Sequence, residues 1–280
     1  MSLPEVFPAP AKLNLFLQVV GRRPDGYHLL QTVFRFIDYS DLLRLRVRKD
    51  GVLRQETPLP GVPVEQDLIL RAARLLQEAA GCRLGADIAL EKRVPMGGGL
   101  GGGSSDAATV LIALNRLWGL NLRRRELMEL ALRLGADVPV FVFGQNAFAE
   151  GVGEALTPLA LPPNWYVVLV PPVPVTTADV FSAPELTRDA RPIKIADFSV
   201  ALGHNALQAV VCRRHPEVAR HLQWLSRFGS ASMTGSGACV FAEFASADAA
   251  QAVLEQQEPG MRGFVARGLD QHPLKELVED

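Results

Sequence analysis

The stretch PMGGGLGGGSSDAA, Pro95–Ala108, joins a predicted strand to a predicted helix in this 280-residue chain. Six of the nine residues from Gly97 to Ser105 are glycine. Glycine lets successive N–H groups converge on one point, because no Cβ blocks positive φ or close approach. The helix that follows adds free N–H donors and the positive end of its dipole. The stretch therefore predicts an anion site, and phosphate is the expected guest.

The loop departs from three common phosphate-binding patterns. Gly97, Gly99 and Gly102 fit the dinucleotide fingerprint GxGxxG, but that fingerprint needs an acidic residue closing a second strand about 20 positions on. Here the region Asn121–Glu126 enters a predicted helix instead, which disfavours a dinucleotide oxidoreductase. No lysine follows the glycines, as a Walker loop requires, and the protein-kinase signatures HRD and DFG are absent. A different kind of phosphate loop remains.

Composition limits the partners of the chain. Hydrophobic residues make up 48%, charged residues 21%, and the formal net charge is −1, so no global charge attracts nucleic acid or an anionic membrane. The three cysteines, Cys82, Cys212 and Cys239, are widely spaced and predict reduced thiols in a cytoplasmic protein. The first twelve residues lack the pattern of a signal peptide. These features favour a cytoplasmic protein. The chain is further expected to bind a small-molecule substrate and to work as a monomer or weak homodimer.

The remaining periodicities predict a mixed α+β protein in two parts. Residues 11–20 alternate as a half-buried strand, and the segments Thr32–Ile37 and Asp41–Arg48 predict two further strands. Helical spacing follows Ser104. A proline-rich segment near residues 156–164 predicts a boundary between an N-terminal domain of residues 1–158 and a C-terminal domain of residues 159–280.

Two further motifs accompany the glycine-rich stretch: PAKLNLFL near the N-terminus and TGSGACVFA near the C-terminus. With these three motifs in this order over nearly the whole chain, the sequence resembles the small-molecule kinases named for galactokinase, homoserine kinase, mevalonate kinase and phosphomevalonate kinase. The resemblance implies an N-terminal domain like ribosomal protein S5, with a left-handed βαβ crossover, and a ferredoxin-like C-terminal domain. ATP and substrate would lie in the cleft between them.

The segments PAKLNLFLQVVGRRPDGYHLLQTVF, LGADVPVF and AFAEGVGE resemble those members of the family that phosphorylate a cytidine diphosphate alcohol for isoprenoid precursors. This resemblance implies transfer of the ATP γ-phosphate to a hydroxyl of that alcohol, with Mg²⁺. Two alternatives stay open: another alcohol kinase of the homoserine or mevalonate type, and a nucleotide-binding protein of this fold without turnover.

The resemblance also implies the catalytic residues. Asp137, in GADVPVF, would accept the proton of the reacting hydroxyl or orient that hydroxyl, and Lys12 would offset developing charge beside it. Ser105 or a neighbouring carboxylate would help to hold magnesium. The ATP phosphates would lie on Pro95, Met96, Gly97, Gly98, Gly99, Leu100, Gly101, Gly102, Gly103, Ser104 and Ser105.

The acceptor side is predicted from an aromatic residue beside a hydrogen-bonding ring. Tyr27 can stack on a pyrimidine while His28 reads its edge, and the resemblance makes Phe181 the second stacking face, with Thr177 nearby. Asn14 shares a strand face with Lys12 and is assigned to the substrate. Phe181 could instead face the core, as a helix residue commonly does.

The sequence also singles out a loop and two residues near the predicted cleft. The loop from Thr234 to Gly237 either lines the cleft or only makes a turn. The family's adenine pocket often has an asparagine where this chain has Asp67, and an aspartate cannot donate a hydrogen bond from an amide. Asp67 is therefore predicted as a helix N-cap, with Lys92 near the same pocket.

Overall fold

The computed structural model describes residues 4–195 and 203–280, which form ten strands and eight α-helices. The strands are β1 Glu5–Arg22, β2 His28–Arg48, β3 Leu53–Gln55, β4 Gly85–Glu91, β5 Ala147–Glu150, β6 Ala155–Pro158, β7 Trp165–Leu169, β8 Ala231–Met233, β9 Val240–Phe244 and β10 Gly263–Leu269. The helices are α1 Leu68–Ala79, α2 Gly102–Leu117, α3 Arg124–Leu134, α4 Val138–Phe143, α5 Thr177–Ser182, α6 Gln208–Arg214, α7 Pro216–Leu225 and α8 Ala247–Leu254. The mixed α+β class expected from the sequence is confirmed.

A long antiparallel hairpin formed by β1 and β2 is the central element of the fold. Its register runs from Glu5 opposite Leu45 to Arg22 opposite His28. The two strands predicted at residues 32–37 and 41–48 are one strand, because the pairing continues across a register shift that breaks the alternation between them. The β2 strand also pairs with β4, β5 and β10, so one sheet passes through both halves of the chain.

Each half has its own core. The first four helices pack on one side of the sheet around buried side chains such as Leu43, Ile88 and Leu111. The later helices pack against β7 and β9 around residues such as Val167 and Trp224. A third cluster fills the space between the halves, so the two cores meet across packed side chains and not across a solvent gap. Within the described ranges, each helix is too short or too polar to cross a membrane.

The segment after β10 returns to the N-terminal half. Arg124, at the start of α3, donates hydrogen bonds to the carbonyl groups of Lys275 and Val278 at 2.9 and 2.7 Å. His272 packs edge-on against Phe36 and Phe141. The last described residues therefore brace α3 and α4, and through α4 they support the residue that precedes it, Asp137.

Three local features near the site differ from or refine the sequence reading. The α2 helix begins at Gly102, two residues before Ser104, because Gly101 takes a left-handed conformation with φ of 72° and makes the turn. The α4 helix was not predicted, since its proline suggests a turn, but proline is tolerated in the first turn of a helix. Asp67 is confirmed as the N-cap of α1: its Oδ1 accepts a hydrogen bond from the Ile69 N–H at 2.8 Å.

Candidate active site

Two neighbouring cavities share the glycine-rich loop as a common wall. The larger has a volume of about 890 Å³ and the smaller about 340 Å³. Gly97, Gly99, Gly101 and Ser104 line both. A molecule in either cavity would therefore touch the same loop, which is the geometry expected of a site that passes a group between two ligands.

The loop reaches this position through glycine chemistry. Gly97, Gly99 and Gly101 have φ of 68°, 75° and 72°, a region that side chains rarely adopt. A Cβ on Gly99 would also lie 2.2 Å from the carbonyl oxygen of Thr234. The loop can pack this closely against the C-terminal half only because these positions lack side chains.

Lys12 and Asp137, the two predicted catalytic residues, meet at this wall. The Lys12 side chain on β1 is almost fully buried, and its Nζ lies 3.3 Å from Oδ2 of Asp137, which is 39% exposed. The same nitrogen donates hydrogen bonds to Oδ1 of Asn14 at 2.6 Å and to the carbonyl oxygen of Gly99 at 3.0 Å. All three N–H groups of the ammonium thus face oxygen atoms, and the cation is fixed between the loop and the carboxylate.

The predicted acceptor residues line the larger cavity together. The rings of His28 and Phe181 are in contact, with centroids 5.0 Å apart and planes inclined by 34°. Tyr27 is 62% exposed and lines the same cavity. The Thr177 hydroxyl lies 2.8 Å from that of Ser236. The structure brings these side chains from β2, α5 and the loops beside them to the wall of one cavity, which Lys12 and Asp137 also line.

The smaller cavity is lined by the rest of the loop, including Pro95, Met96 and Gly103, and by Asp67 and Lys92. Both carboxylate oxygens of Asp67 are already occupied, since the second accepts a hydrogen bond from Gln55 at 2.8 Å. The Asp67 side chain therefore acts within the protein as a cap.

Ser105 does not have the position expected of a magnesium ligand. Its side chain is fully buried, and its hydroxyl donates a hydrogen bond to the Pro10 carbonyl at 2.7 Å. It lines neither cavity. The reason is helical geometry, because α2 begins at Gly102 and turns Ser105 towards β1. Ser104, one residue earlier, faces both cavities instead.

A buried ionic cluster behind the loop was missed from the sequence. Lys92 lies 2.5 Å from Asp41 and 2.7 Å from Asp106. Burial, with the Asp41 charge nearby, raises the pKa of Asp106 to about 7, although Lys92 opposes this shift. Oδ1 of Asp106 has no hydrogen-bond partner. The residue follows the paired serines in SSDAA, but nothing in the sequence alone shows that Asp41 reaches it.

Two more contributors come from the C-terminal half. The Thr234 hydroxyl is fully buried, accepts a hydrogen bond from the Asn14 N–H at 3.0 Å and donates one to the Gly99 carbonyl at 3.3 Å. Arg188 lines the larger cavity and contacts His28. The loop from Thr234 to Gly237, which the sequence left either to line the cleft or only to make a turn, lines the larger cavity through Gly235, Ser236 and Gly237. The contact of Arg188 with His28 has no local sequence signal, because it spans 160 residues.

Family patterns match both halves of the chain. The GHMP kinases N terminal domain matches residues 67–145, and the GHMP kinases C terminal domain matches residues 186–257. Two proteins named 4-diphosphocytidyl-2-C-methyl-D-erythritol kinase are close relatives. The one from Nitrosospira multiformis is 64% identical, covering 97% of this chain and 94% of that protein. The one from Thiobacillus denitrificans is 65% identical over 99% of each.

Solved structures agree with this relationship. The structure titled 4-(cytidine 5'-diphospho)-2C-methyl-D-erythritol kinase superposes with a TM-score of 0.81 at 38% identity, over 94% of this chain and 99% of that chain. A mevalonate kinase superposes with a TM-score of 0.71 at 15% identity, over 95% and 99%. At that identity the second match shows the shared fold alone.

Proposed function

Since this chain belongs to the 4-diphosphocytidyl-2-C-methyl-D-erythritol kinases, within the GHMP kinase family, we propose how its residues divide that reaction between the two cavities. The chain is an ATP-dependent kinase of the non-mevalonate isoprenoid precursor pathway. It transfers the γ-phosphate of ATP to the 2-hydroxyl of 4-diphosphocytidyl-2-C-methyl-D-erythritol. The observation that carries the division of roles is the single loop that lines both cavities.

ATP occupies the smaller cavity, with its phosphates on the loop from Pro95 to Ser104. Free N–H groups of the loop and of the first turn of α2 would donate hydrogen bonds to the phosphate oxygens, and the helix dipole favours their charge. Residues 1–158 form the domain that holds ATP and the catalytic pair, and residues 159–280 form the domain that completes the acceptor side. The pairing of β2 with β10 keeps the two domains in register.

Magnesium fits beside the loop. Oδ1 of Asp106 is a buried acceptor without a partner, and Asp106 and Ser104 both line the smaller cavity. Mg²⁺ is commonly held by one or two protein oxygens together with substrate phosphates. We assign Asp106 and Ser104 as its protein ligands. When bound, the ion offsets the negative charge of the β- and γ-phosphates.

The transfer step takes place at Lys12 and Asp137. The acceptor hydroxyl donates its proton to the Asp137 carboxylate as its oxygen attacks the γ-phosphorus, and the bond from that phosphorus to the β,γ-bridging oxygen breaks to leave ADP. Lys12 faces the same point and offsets charge on the transferring group without having to move. Its hydrogen bonds to Asn14 and Gly99 hold it there.

The cytidine end of the acceptor lies at the far end of the larger cavity. Tyr27 and Phe181 offer aromatic faces to the base, and His28 offers a hydrogen-bonding edge. Thr177, paired with Ser236, lies on the path from this end towards the loop. A substrate without a pyrimidine, such as mevalonate or homoserine, would leave these groups unused.

The decisive experiment is an ADP-release assay in which the diphosphocytidyl alcohol, mevalonate and homoserine are compared at equal concentration. Turnover with the first alone is expected, because only that substrate reaches both the aromatic end and Asp137. Turnover with mevalonate or homoserine instead would replace this assignment by another alcohol kinase. ATP binding without ADP release from any alcohol would show a nucleotide-binding protein without turnover.

The cellular setting is also part of the proposal. The chain works in the cytoplasm, which suits the three unpaired thiols Cys82, Cys212 and Cys239. We propose that it acts as a monomer or weak homodimer. Light scattering over a range of protein concentrations would measure the oligomeric state directly.

A further inference from the structure

The guanidinium group of Arg188 contacts two walls of the larger cavity, in which the acceptor is proposed to bind. Arg188 lies in the segment after α5, and His28 begins β2. We infer that Arg188 is a positioning residue that fixes which ring nitrogen of His28 carries the proton, and thereby which pyrimidine edge the site accepts. The inference rests on the proposed function for the identity of the base, but its structural part concerns Arg188 and His28 alone.

The contacts of Arg188 use all three of its nitrogen atoms. Nε donates a hydrogen bond to Nε2 of His28 at 3.1 Å. Nη2 donates to the carbonyl oxygens of Phe181 at 2.9 Å and Ala183 at 2.6 Å, and Nη1 donates to that of Leu186 at 2.9 Å. The planar fork of arginine suits such a fixed set of acceptors. The same side chain therefore holds the histidine and the backbone that carries the Phe181 ring.

The hydrogen bond to His28 has only one possible direction. A guanidinium donates hydrogen bonds and never accepts them, so Nε2 of His28 must present its lone pair. The ring proton then lies on Nδ1, and the imidazole is neutral. Among the described residues, no protein group forms a hydrogen bond with Nδ1. This nitrogen is left as a donor for a ligand.

A donor at Nδ1 distinguishes pyrimidines. At ring position 3, cytosine has an unprotonated nitrogen that accepts a hydrogen bond, whereas uracil has an N–H that donates one. Two donors facing each other would leave buried polar groups unpaired, and such mismatches discriminate strongly between substrates. A histidine free to move its proton to Nε2 would accept from uracil through Nδ1. The Arg188 hydrogen bond removes that option and thus favours cytosine.

The charged groups around His28 also favour its neutral form. Arg188 comes from the segment after α5, Arg22 lies opposite His28 on β1, and Asp25 lies in the connecting loop, where it pairs with Arg23. Burial, then the charge of Arg188, then that of Arg22 lower the pKa of His28. The neutral ring persists above that lowered pKa. Protonation at lower pH would place an N–H on Nε2 against the Arg188 donor and break the contact.

The test compares Arg188→Met with Arg214→Met in the full chain. Methionine keeps the apolar stem at position 188 but removes the charge and the donors. Arg214 is the matched control, because it donates to the Asp179 carbonyl of α5 and pairs with Glu185 but does not contact His28. Nitrogen-15 NMR of the His28 ring measures its tautomer and pKa, and steady-state assays measure KM and kcat for cytidine and uridine versions of the acceptor.

In Arg188→Met we expect the pKa of His28 to rise towards its ordinary value of about 6.5, with both tautomers populated. The acidic limb of kcat/KM should move to higher pH. KM for the cytidine acceptor should rise by about ten-fold or more and the preference over uridine should fall, while KM for ATP stays unchanged. Arg214→Met should match the unmodified chain in all these quantities. Arg188→Lys, which keeps a cation with one nitrogen, should give values between those of Arg188→Met and those of the unmodified chain.

An unchanged tautomer and pKa of His28 in Arg188→Met would overturn the inference, and so would equal effects from Arg214→Met. If Arg188→Met does not fold, Arg188→Lys provides the same measurements, and a tautomer and pKa of His28 like those of the unmodified chain in that variant would overturn the inference. The NMR result is independent of turnover. Failure of the unmodified chain to phosphorylate the cytidine alcohol would thus refute the proposed function separately.

Discussion

The ammonium nitrogen of Lys12 lies 3.3 Å from the Asp137 carboxylate, and the same nitrogen contacts the glycine-rich loop at Gly99. A single buried cation therefore touches the predicted base for the acceptor and the predicted cradle for the donor. Charge at this point acts on both reactants without reorganisation, which is the condition under which electrostatic stabilisation is largest. The roles of the two residues can be tested by separate substitutions, because Asp137 is half-exposed and can be replaced with less disturbance of the fold than buried Lys12.

Replacing Asp137 by asparagine should lower kcat by about 10²–10⁴, since the amide cannot accept the hydroxyl proton. Folding and ATP binding should be retained, because the side chain is 39% exposed and makes no cap hydrogen bond to α4. ADP release measures kcat, and calorimetry measures ATP affinity. Asp248→Asn, at an exposed position in the first turn of α8, is the control. Turnover like that of the unmodified chain would remove Asp137 from the mechanism.

Thr234→Val should weaken the attachment of the loop to β1. The variant keeps the shape of the side chain but leaves the buried Asn14 N–H without its partner, at a cost of about 1–3 kcal/mol in the free energy of unfolding. We expect a lower kcat/KM for ATP as well, because the Gly99 carbonyl loses one of its two side-chain donors. Urea unfolding and steady-state kinetics measure the two effects. Thr234→Ser should restore both, and a serine variant as impaired as valine would contradict the explanation.

Asp106→Asn should change how stability depends on pH. The raised pKa means that the folded chain keeps a proton on Asp106 after the unfolded chain has lost it. The stability from this group is present below the unfolded pKa of about 3.9 and is lost as pH rises to about 7. The free energy of unfolding of the asparagine variant, relative to the unmodified chain, should therefore increase across that window, by up to about 1.4 kcal/mol per pH unit.

Chemical denaturation at several pH values measures this difference, and pH effects from groups distant from the Asp41, Lys92 and Asp106 cluster cancel in the comparison. A constant difference between pH 4 and 7 would show that Lys92 keeps Asp106 ionised throughout. Since Asp106 is also assigned to magnesium, the Mg²⁺ concentration at half-maximal activity should rise in the same variant. An unchanged magnesium requirement would remove Asp106 as a ligand.

The sequence predicted those parts of the site that depend on local patterns. A run of glycines between a strand and a helix has few physical explanations. The left-handed conformations at Gly97, Gly99 and Gly101 agree with one of them, a loop shaped to bind an anion. Asp67 was predictable as a cap because capping is a short-range interaction. The mixed α+β class followed from periodicity alone.

Other parts could not be predicted because they depend on distant contacts. The paired roles of Thr234 and Asn14 need strands more than 200 residues apart to meet. The direction of Ser105 depended on the first residue of α2, and helix ends are poorly determined by sequence patterns. Asp41 looked like the start of a separate strand, and only the continuous β2 strand places it beside Lys92.

The β1–β2 hairpin fixes the distance between two parts of the active site. Lys12 is opposite Phe36 near the middle of the hairpin, and Arg22 is opposite His28 at the end that the connecting loop closes. Paired strands are nearly inextensible because each residue spans a fixed rise. The distance from the cytidine-binding end at His28 to the transfer site at Lys12 is therefore set by the backbone of the two strands. We therefore expect selection for substrate length as well as for the pyrimidine base, because an acceptor with one phosphate fewer would not reach from His28 to the transfer site at Lys12.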